Sequence, residues 1–193
     1  MPLSQPEEAY TYEDYLNFPE DTRAEIVNGE IYLMSSPSLR HQEICGELYR
    51  QLANFLEGKK CRVFLAPLAV RLFAQKKDTP REVDTVVEPD ISVVCDKNKI
   101  TSEGLIGAPD MTIEVISPSS RRYDRMTKFQ LYQLAGVREY WIVDPLGEWA
   151  QVFLRSENGQ LTLVEDYGKE DIAKVNILPG CFIDLGKVFA GRE

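Results

Sequence analysis

The sequence is short of positive charge and has no long hydrophobic run. Its 193 residues include 22 lysines and arginines against 31 aspartates and glutamates, so the formal net charge is −9. Because tight nucleic-acid binding rests on neutralised phosphates, such binding would need a local basic patch or a bound metal. No apolar run approaches the ~20 residues of a membrane span, and the N-terminus lacks the basic and apolar parts of a secretory signal. These absences predict a cytoplasmic protein outside the membrane.

Cysteines are few and well separated. The four are Cys45, Cys61, Cys95 and Cys181. No two of them are close in the sequence, and three lie among apolar neighbours. Cysteines in such surroundings are mostly buried reduced thiols, and a zinc site or a disulfide is the less common alternative. We expect reduced thiols.

The first part of the chain predicts a hairpin followed by a long helix. Asn28-Gly29 separates two apolar runs, and a two-residue hairpin turn needs residues that accept positive φ at both positions. Apolar residues then recur at helical spacing from about Leu39 to Leu56. Ser38 stands where the N-cap of that helix would lie.

The rest of the chain predicts strands around one further helix. Apolar runs indicate strands at about 62–73, broken near Pro67, and at 90–95, 111–116 and 137–143. Ser119 or Ser120 should cap a helix that runs to Ala135. A hairpin at about 148–164 and a short last strand within 177–185 follow. The predicted fold class is therefore α/β, with β-hairpin decorations at both ends.

Two carboxylates stand out on neighbouring predicted strands. Asp90 begins one strand and Glu114 lies near the end of the next, and the connecting loop is too short for a helical crossover. An antiparallel pair places both side chains at the same end of the sheet. Close carboxylates repel each other unless a cation lies between them, and oxygen ligands suit Mg²⁺ or Mn²⁺. The pair predicts a divalent metal site.

Lys128 is the third candidate. The helix after Glu114 must pack back along its strand, which brings Lys128 and Glu114 to similar heights at ~1.5 Å per helical residue and ~3.3 Å per strand residue. An ammonium there can hold a nucleophilic water, and Asp124 one turn earlier can orient it. Taken singly, each of these residues has an ordinary explanation as a turn, exposed or solvated residue, so the hypothesis depends on their order and spacing.

These residues carry a resemblance to a known family. The chain resembles the Uma-two family of restriction-endonuclease-like proteins over roughly residues 20–150. The matching positions are Pro89-Asp90, Glu114-Val115-Ile116, Ser117 to Ser120, Asp124, Lys128, Tyr132 and Gly136 to Pro145, together with Glu25, Gly29 and His41. In the general nuclease pattern, lysine would stand where this chain has Ile116, and in the Uma-two group Lys128 takes its place.

The resemblance implies a PD-(D/E)xK nuclease fold, in which a central mixed sheet is flanked by helices. It implies one restriction-endonuclease-like domain over residues 1–193, with a core at about 20–145 and a C-terminal β appendage at about 146–193. Asp90 and Glu114 would be the metal ligands, and Lys128 the third catalytic residue.

Five further residues are secondary candidates. Glu25 on the opening hairpin can add a third carboxylate or be merely structural. His41, the only histidine, can bond the helix end or contact substrate or water near the site. Arg121, Arg122 and Arg125 crowd a helix N-terminus, where the helix dipole disfavours cations. Their partner is either a phosphate or an acidic neighbour within the protein.

Two functions remain open from the sequence. The leading hypothesis is Mg²⁺- or Mn²⁺-dependent hydrolysis of phosphodiester bonds in DNA. The alternative is a non-enzymatic, homodimeric binding module on a nuclease-like fold. In either case β appendages leave sheet edges that a symmetric partner would cover, so we expect a homodimer.

Overall fold

A computed structural model describes residues 9–19, 22–118 and 120–191. Its helices and strands are, in chain order, α1 (Tyr12–Leu16), β1 (Ala24–Val27), β2 (Glu30–Leu33), α2 (Leu39–Leu56), β3 (Arg62–Leu65), β4 (Val70–Arg71), β5 (Ile91–Val94), β6 (Ile100–Thr101), β7 (Gly104–Ile106), β8 (Met111–Val115), α3 (Phe129–Ala135), β9 (Glu139–Asp144), β10 (Trp149–Arg155), β11 (Leu161–Gly168), β12 (Ile172–Lys174), β13 (Phe182–Asp184) and α4 (Leu185–Phe189). A π-helical segment, Tyr123–Lys128, leads directly into α3.

A mixed sheet forms the centre of the molecule. Its strand order is β11-β10-β9-β8-β5-β3. The β8 and β9 strands are parallel, whereas the other neighbours run antiparallel. Helix α2 packs on one face, and the π-helical segment with α3 packs on the other. The predicted α/β class, with a central mixed sheet flanked by helices, is confirmed.

Because both faces of this sheet are covered, its central strands are buried on both sides. On β8, Ile113 and Val115 join the apolar layer beneath α2. Glu114 lies between them in sequence and therefore faces the opposite layer, since side chains alternate along a strand. On β9, Trp141 packs under α2 and Tyr140 packs under α3 in the same way. The alternation therefore places Glu114 on the face covered by the second helix and not in the layer beneath α2.

The opening hairpin and α2 lie where the sequence predicts them. The turn residues Asn28 and Gly29 have φ values of 49° and 78°. Helix α2 begins at Leu39 and ends at Leu56, and the Ser38 hydroxyl accepts a hydrogen bond from His41 N at 3.2 Å. Its buried side chains recur at three- and four-residue intervals, as in an amphipathic helix.

The second helix begins at Arg121, so Ser120, one of the two predicted serines, stands at the N-cap position. Its O accepts a hydrogen bond from Asp124 N at 2.9 Å. Ser117 precedes it and exchanges hydrogen bonds with it: Ser120 N donates to Ser117 Oγ at 3.1 Å, and Ser117 N donates to Ser120 Oγ at 3.0 Å. Ser119 lies outside the described residues. The helix ends at Gly136, as predicted, with φ at 92°.

The C-terminal part is joined closely to the central sheet. Strands β10 and β11 extend the sheet beyond β9. The following segment packs its apolar residues into the layer beneath α2; they are Ala173, Val175, Leu178, Cys181, Ile183, Leu185, Val188 and Phe189. No helix within the described residues is both long enough and apolar enough to span a bilayer.

A disulfide corrects the prediction for two of the cysteines. Cys61 and Cys95 are joined, with Cα atoms 3.9 Å apart. Arg62 pairs with Val94 in the antiparallel β3–β5 ladder, so the next positions outward bring the two cysteines face to face. Because 34 residues separate the two cysteines in the sequence, their spacing alone does not indicate that they are neighbours. Cys45 and Cys181 are buried free thiols, as predicted.

Candidate active site

Asp90 and Glu114 lie side by side at one end of the central sheet. Ile91 pairs with Ile113 in the antiparallel β5–β8 ladder. One step outward, Asp90 lies opposite Glu114, as the sequence predicts. Val115 N donates to Asp90 Oδ2 at 2.8 Å, which ties the Asp90 carboxylate to the end of β8.

Lys128 reaches the same place from the covering helix. Its Nζ lies 3.0 Å from Glu114 Oε1 and 2.9 Å from Glu25 Oε1. Asp124 Oδ1 is farther away at 3.8 Å. The Lys128 side chain is only 4% exposed. The predicted proximity of Lys128 to Glu114 is therefore present, and the ammonium is held within a group of carboxylates.

The π-helical segment brings Lys128 and Asp124 into this position. Phe129 N donates to Asp124 O, a bond that spans five residues and widens the turn. Both Asp124 and Lys128 are buried within that segment. Such single-turn π-bulges are frequent at functional sites. The sequence predicts a regular helix here, because its spacing of apolar residues carries no signal for one extra residue in a turn.

Glu25 belongs to the centre of the group. It is completely buried on β1, and its Oε1 accepts a hydrogen bond from Glu88 N at 2.7 Å in addition to the ion pair with Lys128. The other oxygen, Oε2, is buried with no hydrogen-bond partner among the described residues. Sequence reasoning made Glu25 a secondary candidate. The available signal was a glutamate inside a four-residue strand whose other members are all apolar.

The three carboxylates at the sheet end share one bonding pattern. Asp90 Oδ2 accepts from His41 and Val115, and Glu114 Oε1 accepts from Lys128 and Tyr132. Within the part of the chain that the structure describes, neither Asp90 Oδ1 nor Glu114 Oε2 accepts a hydrogen bond. Together with Glu25 Oε2, each carboxylate thus keeps one oxygen uncommitted.

The group contains more carboxyl groups than cations. Its carboxylates are Glu25, Asp90, Glu114 and Asp124, and Lys128 is the lysine among them. Burial raises the pKa of Glu114 well above its usual value, and Lys128 only partly offsets this because nearby carboxylates act in the same direction as burial. Burial also disfavours the Lys128 cation, but Glu114 and Glu25 outweigh it and hold the pKa of Lys128 well above normal. Lys128 therefore stays charged.

His41 and Cys45 approach Asp90 from α2. His41 Nε2 lies 3.2 Å from Asp90 Oδ2, and Cys45 Sγ lies 3.5 Å from His41 Nδ1. Burial lowers the pKa of His41, but its contact with the Asp90 carboxylate more than offsets this and leaves the pKa raised. His41 therefore lies beside Asp90, near the site, which was one of the two positions considered from the sequence. Cys45 was not foreseen, although its spacing of four residues from His41 places both on one helix face.

The three arginines of the second helix have different surroundings. Arg121 binds Asp144 at 2.6 Å, which is the acidic neighbour considered from the sequence. Arg125 donates to Gln151 and lies over the Trp149 ring. Arg122 is exposed at the start of the helix. Of the three, Arg122 is the side chain most accessible to an outside anion.

Comparison with known proteins identifies the family. A family model described as "Putative restriction endonuclease" matches residues 9–186. The chain belongs to the Uma2 family. The resemblance inferred from the motif residues is confirmed by this match, which covers the carboxylate group, Lys128 and His41 together.

Two relatives and one solved structure are also similar to this chain. Two uncharacterized proteins of Synechocystis sp. are similar to this Uma2 protein. One is 29% identical over 162 residues, which cover 82% of this chain and 80% of the relative. The other is 23% identical over 164 residues, which cover 82% of this chain and 88% of the relative. A crystal structure from Anabaena variabilis, titled as a putative nuclease, superposes with a TM-score of 0.71 at 21% identity, covering 93% of this chain and 97% of the other. The fold is that of this nuclease-like protein, and the family supports a nuclease-like function.

The donor set of this Uma2 protein fits a divalent cation. Glu25 has an oxygen that is buried without a hydrogen-bond partner, and an unsatisfied buried carboxylate oxygen is unfavourable. Asp90 and Glu114 offer further uncommitted oxygens beside it, and a divalent cation would favour the ionised form of the buried carboxyl groups. Carboxylate oxygens are the donors that Mg²⁺ and Mn²⁺ prefer.

Proposed function

We propose that this Uma2 protein is a metal-dependent endonuclease that hydrolyses phosphodiester bonds in DNA. Asp90 and Glu114 are its metal ligands, and Mg²⁺ or Mn²⁺ is the cofactor. The observation that carries the proposal is the shared pattern in Asp90, Glu114 and Glu25, each with one oxygen bonded by protein donors and the other left uncommitted.

A divalent cation held there would polarise the scissile phosphate and lower the pKa of an attacking water. The surrounding residues have positioning roles. Val115 N and His41 orient Asp90, while Tyr132 and Lys128 orient Glu114. Lys128, whose pKa is held above normal by the nearby carboxylates, also supplies a positive charge near the place where charge builds up on a phosphate. Because that lysine is committed to two carboxylates, it serves as an electrostatic group and not as a base.

We expect the protein to make few direct contacts with the phosphates of its DNA substrate. Since the chain carries a net charge of −9, binding depends on local groups and on the metal. Arg122 is the best placed of the three arginines for a phosphate, because Arg121 and Arg125 already have partners within the protein. Cleavage assays should therefore use low ionic strength, where each phosphate contact is least screened.

The test of the proposal is cleavage by purified protein. Wild type with Mn²⁺ should cut single-stranded, duplex or branched DNA at low salt, and chelation of the metal should abolish cutting. Asp90→Asn and Glu114→Gln should each reduce the rate by at least ~100-fold, the scale of a positioned electrostatic or acid-base group. Glu165→Gln, the same change at an exposed residue of β11, is the matched control and should cut like wild type.

Absence of cleavage of every DNA form, in protein shown to be folded, would transfer support to the alternative, a non-enzymatic binding module. Cleavage of RNA in place of DNA would retain the metal site and change only the substrate. Equal rates for wild type and Glu114→Gln would remove Glu114 from the mechanism.

We also propose that the protein is a homodimer. The edge strand β11 exposes Leu163 and Val164, at 45% and 46%, and an exposed apolar edge is usually covered by a partner. A symmetric pair is the commonest solution. Sedimentation at micromolar concentration should give a species of twice the chain mass of 22.0 kDa, and only the single-chain mass would contradict the dimer.

A further inference from the structure

A second cluster of metal-ligating side chains lies on the α2 side of Asp90. His41, Cys45 and Asp90 each offer one ligand atom, and these atoms lie within 4.8 Å of one another. They combine an imidazole nitrogen, a sulfur and a carboxylate oxygen, whereas the group around Glu114 offers oxygen only. The difference in donor chemistry separates the two positions.

The cluster is held by the fold. His41 and Cys45 stand four residues apart on α2, so both side chains leave the helix on one face. Cys45 is 8% exposed and sits in the apolar layer beneath the helix. The His41 and Asp90 side chains are 17% and 18% exposed, so this corner remains open to a small ion from solvent.

The donor separations show how far the cluster is from a coordination shell. Donors around a tetrahedral zinc ion, bound at roughly 2.0 to 2.3 Å, lie about 3.3 to 3.8 Å from one another. The three ligand atoms of the cluster lie within 4.8 Å of one another. The contacts at 3.2 and 3.5 Å are made by opposite nitrogens of the His41 ring, so the side chains must move closer together to bind one ion.

We propose that His41, Cys45 and Asp90 form a binding site for a borderline transition-metal ion of the Zn²⁺ and Co²⁺ type. The mixture of nitrogen, sulfur and oxygen selects these ions over Mg²⁺, which requires oxygen donors. Three protein ligands leave a fourth position for water. The site shares Asp90 with the proposed catalytic metal but does not depend on nuclease activity.

Cobalt is the probe, because a thiolate bound to Co²⁺ gives a near-ultraviolet charge-transfer band. Wild-type protein titrated with Co²⁺ should develop that band together with visible bands of tetrahedral intensity, saturating at one ion per chain. Zn²⁺ should displace the cobalt and abolish the spectrum. A hundredfold excess of Mg²⁺ should leave it unchanged.

Variants assign the ligands. Cys45→Ala should lose the charge-transfer band, and His41→Ala should weaken cobalt binding at least tenfold. Cys181→Ala is the matched control, because it removes the other buried free thiol, and it should keep the full spectrum. Glu114→Gln should also keep it, which separates this site from the proposed catalytic one. Circular dichroism confirms that each variant is folded.

Two results would overturn the proposal: no charge-transfer band in wild type at saturating Co²⁺, or a band that survives in Cys45→Ala. Neither result bears on DNA cleavage, which is measured separately with Mn²⁺. Conversely, a protein that fails to cut DNA but shows the Cys45-dependent band would retain this site and lose only the nuclease proposal.

Discussion

The two faces of the central sheet bury very different chemistry. Toward α2, β5 and β8 present only hydrocarbon, with Ile91, Val93, Met111 and Ile113 in one apolar layer. Toward the second helix the same two strands present Ser92, Thr112 and Glu114 beside the apolar Val94, all buried. Ser92 and Thr112 face each other across the ladder, and their hydroxyls have no hydrogen-bond partner among the described residues.

This contrast separates what stabilises the fold from what equips it for function. Burying hydrocarbon contributes roughly 25 cal/mol for each Å² removed from water. Burying charged groups is unfavourable unless each is compensated, and a buried ion pair is often no better for stability than apolar residues of the same shape. The buried charged groups on the face toward the second helix therefore contribute little to stability, whereas apolar residues of the same face, such as Tyr140 and Ile142, contribute as those beneath α2 do. Function is the natural reason for the charged groups.

The largest expected effect comes from removing Lys128, the lysine that pairs with the buried carboxylates. Lys128→Met keeps the length of the side chain but leaves Glu25 and Glu114 uncompensated. Loss of one partner from a buried ion pair lowers the free energy of unfolding by about 3 to 5 kcal/mol. Urea denaturation monitored by circular dichroism measures this loss.

A double variant sharpens the result. Glu114→Gln combined with Lys128→Met removes one of the carboxylates left unpaired by the loss of Lys128. The double variant should therefore be more stable than Lys128→Met alone. The surface change Lys174→Met should alter stability by less than ~0.5 kcal/mol. If Lys128→Met were as stable as wild type, the buried carboxylates would not depend on charge compensation.

The same contrast explains how much the sequence reveals. Apolar periodicity records which side chains are buried in hydrocarbon, so α2, the hairpin β1–β2 and the strands β5, β8 and β9 could be placed within a few residues. The Asp90, Glu114 and Lys128 constellation could be found as well. The three residues lie on two adjacent strands and the helix that follows them, and this order leaves few places where their side chains can meet.

Features that depend on tertiary contacts could not be found in this way. The opposition of Cys61 and Cys95 follows from strand pairing across 34 residues, which spacing does not encode. The π-helical turn at Asp124 to Lys128 adds one residue to a turn without changing composition. The sequence around Glu25 is that of an ordinary strand, and its role follows only from the side chains that pack above β8.

A change on the hydrocarbon face provides the second test. Ile113→Ala lies one residue before Glu114 on β8, and Ile113 is fully buried under α2. The cavity should lower the free energy of unfolding by about 3 kcal/mol, within the usual range for such truncations. Mn²⁺ affinity, measured by calorimetry at a temperature where the variant is folded, should stay within about twofold of wild type, since no proposed ligand has changed. A tenfold loss of affinity would show that the two faces are not independent.

Binding of a divalent metal ion at the proposed ligands should stabilise the folded protein. A ligand that binds only the native state adds about 2.7 kcal/mol at a concentration of 100 times its Kd. Mn²⁺ should therefore raise the Tm of wild type, and Asp90→Asn should lose this response. An unchanged Tm at saturating Mn²⁺, together with no heat of binding, would remove the proposed ligands from the function.

The smallest change in stability is expected from Tyr132, which contacts both the apolar residues beneath α3 and the buried carboxylate of Glu114. Tyr132 is fully buried with the apolar residues beneath α3, yet its hydroxyl donates to Glu114 Oε1 beside Lys128. Tyr132→Phe keeps the ring and removes only that donor, so the loss should be about 1.5 kcal/mol, as for a hydrogen bond to a charged group. Tyr132 does not offer an oxygen to the proposed metal, so Mn²⁺ affinity should fall only slightly, whereas Glu114→Gln should lose it. Thermal denaturation with and without Mn²⁺ measures both quantities on the same sample. A loss of Mn²⁺ affinity in Tyr132→Phe as large as that in Glu114→Gln would mean that the Tyr132 hydroxyl orients the Glu114 carboxylate for the metal. Tyr132 would then belong to the functional site as well as to the apolar layer beneath α3.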